Sequence, residues 1–155
     1  MKQATLKKIS GAAYRFVVIT ARFNPKITGS LLNGCLKALK EAGVKKSRIA
    51  QIEVPGAFEL PWAAKAAAIN RKYDAVICLG AIIKGETDHY HYVATETARG
   101  ISEVGRQTNV PVIFGVLTCD NLAQAMARST GKTNKGYEAG WAAVEMARLK
   151  AKIKS

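Results

Sequence analysis

This chain has no apolar run near the ~18 residues that a membrane-spanning helix needs. Its N-terminus, Met1 to Ser10, carries lysines but no apolar stretch of the kind that directs export. A cytoplasmic protein with no membrane partner is therefore expected. Histidine is almost missing. His89 and His91 are the only two, and a helix points residues two apart to different sides. A zinc site needs four protein ligands, or three and a water, so no metal is expected. Cysteine is sparse and odd in number. Cys35, Cys78 and Cys119 form no C-x-x-C and sit in apolar settings, which reads as small buried hydrophobes in a reducing compartment. With Ser30 in a helical stretch, no Ser-His-Asp or Cys-His arrangement stands out, and covalent catalysis is not expected.

Acid is also in short supply. Lys and Arg number 24 against 11 Asp and Glu, a net charge of +13. Such a balance attracts nucleic acid, acidic surfaces or anionic small molecules. The cations are mostly scattered, with small clusters at Lys7-Lys8, at Lys45-Lys46 and from Arg148 to Lys154. Aromatics make up 7% of the chain, and none alternates with basic residues as a stacking platform requires. A solvated basic surface is the expectation, and nucleic acid is not expected as a partner.

What the chain does have is alternation. Its 155 residues suit one domain, 1–155, with a single sizeable core. Arg15 to Ala21 is a nearly continuous apolar run, as in a parallel strand covered on both faces. Asn24-Pro25 reads as an N-cap with proline at the first helical position. Ile27, Leu31, Leu32, Cys35, Leu39 and Ala42 then repeat at helical spacing up to Gly43. A second strand is expected over 49–54, an alanine-rich helix over 58–71 and a third strand over 73–83. A helix over 89–107, a fourth strand over 110–118 and a short helix over 121–128 follow. A polar loop over 129–136 precedes a last helix over 137–154, its stripe running Ala139, Ala142, Ala143, Met146, Leu149 and Ile153. This order predicts an α/β fold: a four-stranded parallel sheet with helices on both faces. Ligands then bind beyond the carboxyl ends of the strands. The segments Arg22 to Asn24, Pro55 to Glu59, Ala81 to His89 and Leu117 to Asn121 fall there.

Nucleotide motifs fail in this frame. No G-x-G-x-x-G follows the first strand. Gly131-Lys132-Thr133 looks like the end of a Walker A motif, but Met126 stands where the earlier glycine is required. Residues 81–92 carry more. There a buried strand stops at Lys84-Gly85 and a helical pattern opens with His89. Backbone N–H groups at such a helix start make an anion site, and a histidine beside it moves protons near neutral pH. Glu86 and Asp88 flank Thr87, so their carboxylates must point away from any anion. The plainer alternative is a capped helix with a surface histidine. Phe23 either stacks on a flat heterocycle or plugs the core. Glu59 either completes the electrostatics of its helix or accepts hydrogen bonds from ligand hydroxyls. Arg128 either complements a helix dipole or clamps a phosphate.

The separated motifs A-R-F-N (Ala21 to Asn24), V-P-G-A-F-E-L-P (Val54 to Pro61), L-G-A-I-I-K-G-E-T-D-H-Y (Leu79 to Tyr90), P-V-I-F-G-V-L-T (Pro111 to Thr118) and N-K-G (Asn134 to Gly136) occur in order. With them the chain resembles the 6,7-dimethyl-8-ribityllumazine synthases of riboflavin biosynthesis, from about Arg15 to Leu149. The resemblance implies a flavodoxin-like three-layer sandwich with an extended N-terminal arm, 1–13. It implies condensation of 5-amino-6-(D-ribitylamino)uracil with 3,4-dihydroxy-2-butanone 4-phosphate, without cofactor or metal. Phe23 would stack on the pyrimidine, and Asn24, Ala57, Phe58, Glu59, Ala81, Ile82 and Ile83 would hold the uracil substrate. Phe114 would close the site from a neighbouring subunit. Gly85, Glu86, Thr87 and Arg128 would bind the phosphate, and His89 would donate the proton. The implied partners are further copies of the chain, in pentamers or a shell of sixty subunits with active sites between subunits, and riboflavin synthase. The loop after Arg128 is one residue shorter than in many members, His91 stands where an acid is frequent, and Ala81 where a small hydroxyl residue is common.

Overall fold

The computed structural model describes residues 9–154. Of the expected arm, 1–8 lies outside the described residues. The remainder, 9–13, carries neither helix nor strand, and Gly11 N donates to the Ala42 carbonyl at 2.7 Å.

Continuous apolar runs become the sheet. β1 is Phe16–Ala21, β2 Ile49–Val54, β3 Ala75–Ile83 and β4 Val112–Cys119, all parallel and ordered β2-β1-β3-β4. β1 is buried at every position because helices cover both faces. Period-two alternation deals its side chains to two cores. Phe16 and Val18 join Ile77 and Leu79 beneath α1 (Pro25–Glu41), α5 (Lys135–Lys154) and the short α4 (Leu122–Ser129). Val17, Ile19 and Ala21 join Val76, Cys78 and Ile82 beneath α2 (Leu60–Ile69) and α3 (His89–Thr108). A 3-10 turn, Ala57–Glu59, leads into α2, which places Pro61 in the first helical turn, where its missing N–H costs nothing.

Three local expectations are corrected. Asn24 does not cap α1 through its side chain. Its backbone is left-handed (φ 58°, ψ 58°), and its amide Nδ2 donates instead to the Ala81 carbonyl at 2.9 Å. The loop 129–136 holds a 3-10 turn, Gly131–Thr133, and α5 begins at Lys135. The stripe of α5 also turns. Ala139, Gly140, Ala143, Val144 and Ala147 are buried with Trp141, whereas Met146, Leu149 and Ile153 stay at least a third exposed. The buried face is set by contact with α1, where small residues are needed, and not by the larger apolar side chains further along.

That contact is unusually close. A Cβ at Gly136 would strike the Leu31 carbonyl of α1, and one at Gly140 would lie 2.8 Å from the Cys35 carbonyl. Asn134 locks the entry to α5. Its Nδ2 donates to the Ser129 carbonyl at 2.6 Å and to the Ser30 carbonyl at 3.0 Å, while its Oδ1 accepts from Tyr137 N at 3.1 Å. A Cβ at Gly34 would run into that same amide. Gly29, by contrast, has open space around its missing Cβ. Gly136→Ala should therefore destabilise the fold by about 1–3 kcal/mol, whereas Gly29→Ala should leave stability unchanged or raise it by up to ~1 kcal/mol. Thermal unfolding of the two variants beside the parent checks the contrast.

Candidate functional site

The strand order reverses between β1 and β3: the chain leaves β1 for β2 on one flank and returns to β3 on the other. Diverging connections leave a gap beyond the carboxyl ends of those two strands. A crevice of about 820 Å³ lies there, lined by Phe23 and Asn24 after β1, Ala57 to Glu59 after β2, and Ala81 to Ile83 with Gly85, Thr87 and His89 around the β3–α3 turn.

Each side chain is held by the turn that carries it. Arg22 N and Phe23 N continue the ladder with Val54 O (2.9 Å) and Pro55 O (3.1 Å), so the β1 and β2 turns move as one. The Asn24–Ala81 bond ties that pair to β3 across the switch point. Phe23 is left 72% exposed over the crevice. Of its two readings, the core plug is ruled out. Gly56 N donates to Glu59 Oε2 at 2.9 Å, which fixes one carboxylate oxygen of this crevice-lining residue. Lys84 N donates to Cys119 O at 2.8 Å, ending the β3–β4 ladder where the chain turns toward α3. Thr87 Oγ1 accepts from His89 N at 3.4 Å. A Cβ at Gly85 would meet nothing within 4 Å, so this chain's own packing does not require glycine there.

Three expected site residues lie elsewhere. Glu86 shares the turn but does not line the crevice. Phe114 and Arg128 face a second recess of about 420 Å³, between β4 and α5, together with Lys135 and Glu138. Arg128 Nη1 donates to the Gln124 carbonyl at 3.1 Å, along its own short helix. Sequence reasoning passed over Tyr92, Val93 and Glu96, which form the α3 wall of the crevice. The signal was there: Tyr92 and Glu96 are four apart and share a helix face with His89. Arg99 hydrogen-bonds Glu96 at 2.6 Å and holds its carboxyl below the ordinary range, so Glu96 supplies negative charge and no proton. Among the described residues, no cluster of three or more His, Cys, Asp or Glu is placed to hold a metal ion, and no helix is long and apolar enough to cross a membrane.

A family profile described as 6,7-dimethyl-8-ribityllumazine synthase matches residues 13–151. The chain belongs to the 6,7-dimethyl-8-ribityllumazine synthase family. Two relatives carrying that name are similar along most of its length. One, from Clostridium kluyveri, is 46% identical over 143 residues, 92% of this chain and 93% of the relative. Another, from Microcystis aeruginosa, is 46% identical over 147 residues, 92% of this chain and 81% of the relative. The parallel sheet with helices on both faces is the lumazine synthase architecture, flavodoxin-like in its layers.

The cysteines take no part in this lumazine synthase-type site. Burial alone pushes the Cys35 and Cys78 thiols up to about 12. Burial also raises Cys119, with Arg128 pulling it part of the way back. At pH 8 the thiolate fraction of the first two is roughly one in ten thousand. In the unfolded chain it is nearer one in four, for an ordinary thiol near 8.5. Iodoacetamide at pH 8 should therefore leave Cys35 and Cys78 unmodified in the native protein and label both in denaturant, as peptide mass mapping reads out. The unfolded state gives up these protons first, so the pair also predicts stability that falls as pH rises from about 9 toward 12.

Proposed function

We propose that the crevice holds the uracil substrate and that a neighbouring copy supplies the second recess to complete the site. The reaction is that of the family. The chain condenses 5-amino-6-(D-ribitylamino)uracil with 3,4-dihydroxy-2-butanone 4-phosphate to give 6,7-dimethyl-8-ribityllumazine, with release of phosphate and water, in riboflavin biosynthesis. The observation that carries the site assignment is the division of its residues. Phe23, Glu59 and His89 meet in one concavity, whereas Phe114 and Arg128 sit in another on the same chain. A phosphate at the β3–α3 turn needs a cation, and none lines the crevice itself. A second copy that sets its β4–α5 recess over the crevice brings Arg128 to the phosphate and Phe114 to the uracil. The exposed apolar side chains Phe58 and Tyr92, in the crevice lining, support burial against such a neighbour. A homo-pentamer is the assembly we assign.

The chemistry follows from the groups at hand. Phe23 stacks on the pyrimidine, the turn Ala57 to Glu59 and the backbone of Ala81 to Ile83 fix its polar edge, and Glu59 takes the ribityl hydroxyls. The 5-amino group forms an imine with the ketone and releases water. Phosphate then leaves, its growing charge met by Arg128 of the neighbouring copy and by Thr87 with the N–H groups of the Gly85–Glu86–Thr87 turn. The ribitylamino nitrogen closes the ring as a second water departs. His89, on the lip, moves protons through these steps. No nucleophilic side chain is needed. Holding two reactants in register supplies about 7–11 kcal/mol of the barrier in well-oriented cases.

His89→Ala should lower kcat about 100-fold while the KM for the uracil changes only a few-fold. Arg128→Ala should raise the KM for the butanone phosphate about 10- to 100-fold and leave that for the uracil nearly unchanged. Absorbance of the lumazine product measures both. An unchanged rate in the first variant removes His89 from the chemistry. Co-assembly of the two variants distinguishes a shared site from a private one. Recovery of activity on mixing requires residues from two copies, and no recovery places the whole site in one chain.

A further inference from the structure

The parallel topology brings the amino ends of all four strands and the last turns of the long helices to one rim of the sheet, opposite the crevice. Cations collect on that rim. Arg15 immediately precedes β1, Arg48 precedes β2, Arg71 and Lys72 lead into β3, and Arg106 lies in the last turn of α3 before β4. Hydrogen bonds between the segments that carry them hold this end of the sheet together in the strand order. Arg48 Nη1 donates to the Ala13 carbonyl at 3.2 Å, and Arg15 N donates to Asp74 Oδ2 at 2.7 Å. Lys150 of α5 feels Lys154, Asp74 and Arg71, and Arg106 borders the same groove as Lys150 and Lys154. That groove has no carboxylate in its lining. The nearby acids are already engaged, Asp74 by the Arg15 amide and Glu41 by the Tyr137 hydroxyl at 2.6 Å. Burial and then Lys154 hold the Lys150 ammonium below the ordinary lysine range, with Asp74 pulling it part of the way back.

Helix dipoles account for part of this pattern, but Arg15 and Lys45 lie in no helix. In sequence these cations are scattered; the fold gathers them along four neighbouring strands. At ~4.8 Å per strand the row spans about 15 Å, the reach of a few consecutive phosphates of a single strand. A membrane surface would instead require one continuous projecting apolar face. Here Met146 and Leu149 line the groove, and Ile69 and Ile153 project from different helices.

We propose that this rim is a docking surface for the phosphate backbone of single-stranded RNA, read without sequence preference. The surface is separate from the crevice, and its test does not depend on the assignment of the lumazine-forming site. Two variants of the assembled protein remove equal charge. One carries Lys45→Gln, Lys46→Gln, Lys72→Gln and Lys154→Gln on the rim. The other carries Lys26→Gln, Lys37→Gln, Lys65→Gln and Lys132→Gln elsewhere. Fluorescence anisotropy with a labelled mixed-sequence RNA of about 20 nucleotides, titrated across salt, reads affinity and slope. With four phosphate contacts, the parent should lose about 50-fold in affinity between roughly 50 and 200 mM salt. The rim variant should bind at least about ten-fold more weakly with a flatter slope, and the control variant should stay within a few-fold of the parent. Lumazine formation by the rim variant reports that it is folded and assembled. Equal losses in the two variants would reduce the effect to net charge and overturn the proposal. So would absence of RNA binding near physiological salt, or binding to phosphatidylserine vesicles in preference to RNA.

Discussion

The reversal of strand order between β1 and β3 is the constraint from which the active end of this protein follows. Crossovers in a parallel sheet keep one hand, so a chain that adds β2 on one side of β1 and β3 on the other must leave a gap between the departing turns. Loops cannot close that gap, because each leaves its strand toward a helix on a different side. The Asn24–Ala81 hydrogen bond spans it instead and ties the two strand ends together without filling it. A left-handed backbone at Asn24 is what aims the amide at β3. Asparagine adopts that conformation more readily than most residues, and it also supplies the donor. Glycine would meet only the first requirement.

A second consequence is the division of labour within one chain. The turns after β1, β2 and β3 build a stacking and hydrogen-bonding crevice, while β4 and α4 carry an aromatic and an arginine into a separate recess. In the function proposed above, each recess is half of a site. On that proposal assembly becomes part of the catalytic apparatus, because a dissociated chain would hold a substrate without the cation that suits its leaving group. Rigid anchoring of both halves matters for the same reason. The close α1–α5 contact seats α5, which lines the second recess beside Arg128, against the rest of the fold.

Much of this was legible in the sequence. Apolar runs of strand length, alternating with helical periodicity and ending in Gly or Pro turns, gave the order of elements, because a sheet covered on both faces leaves a one-dimensional signature. Three of the four expected strand-end segments line the crevice, whereas Leu117 and Thr118 of the fourth face the second recess. Less legible was anything decided by a contact between distant segments. Asn24 before Pro25 looks like a helix cap, and only the carbonyl fifty-seven residues away shows why its side chain turns elsewhere. The apolar stripe of α5 follows from helical spacing as far as Ala139 and Ala143, but close approach to α1 selects the smallest residues, so Met146, Leu149 and Ile153 are left outward. Phe114 and Arg128 carry no local sign that the fold sets them in a different recess from Phe23 and His89. Nor do scattered cations reveal that the topology will align them.

Asn134 and Gly34 share a further property. The amide that clamps Ser30 and Ser129 occupies the space where any side chain at 34 would begin. The two positions therefore behave as one inherited unit, a hundred residues apart in sequence. A mutation at 34 is penalised while Asn134 is present, and a mutation at 134 removes the lock before any larger residue at 34 can make use of the vacated space. Drift at either site passes through a less stable intermediate, so this pair should be among the last parts of the protein to change as its surface diverges.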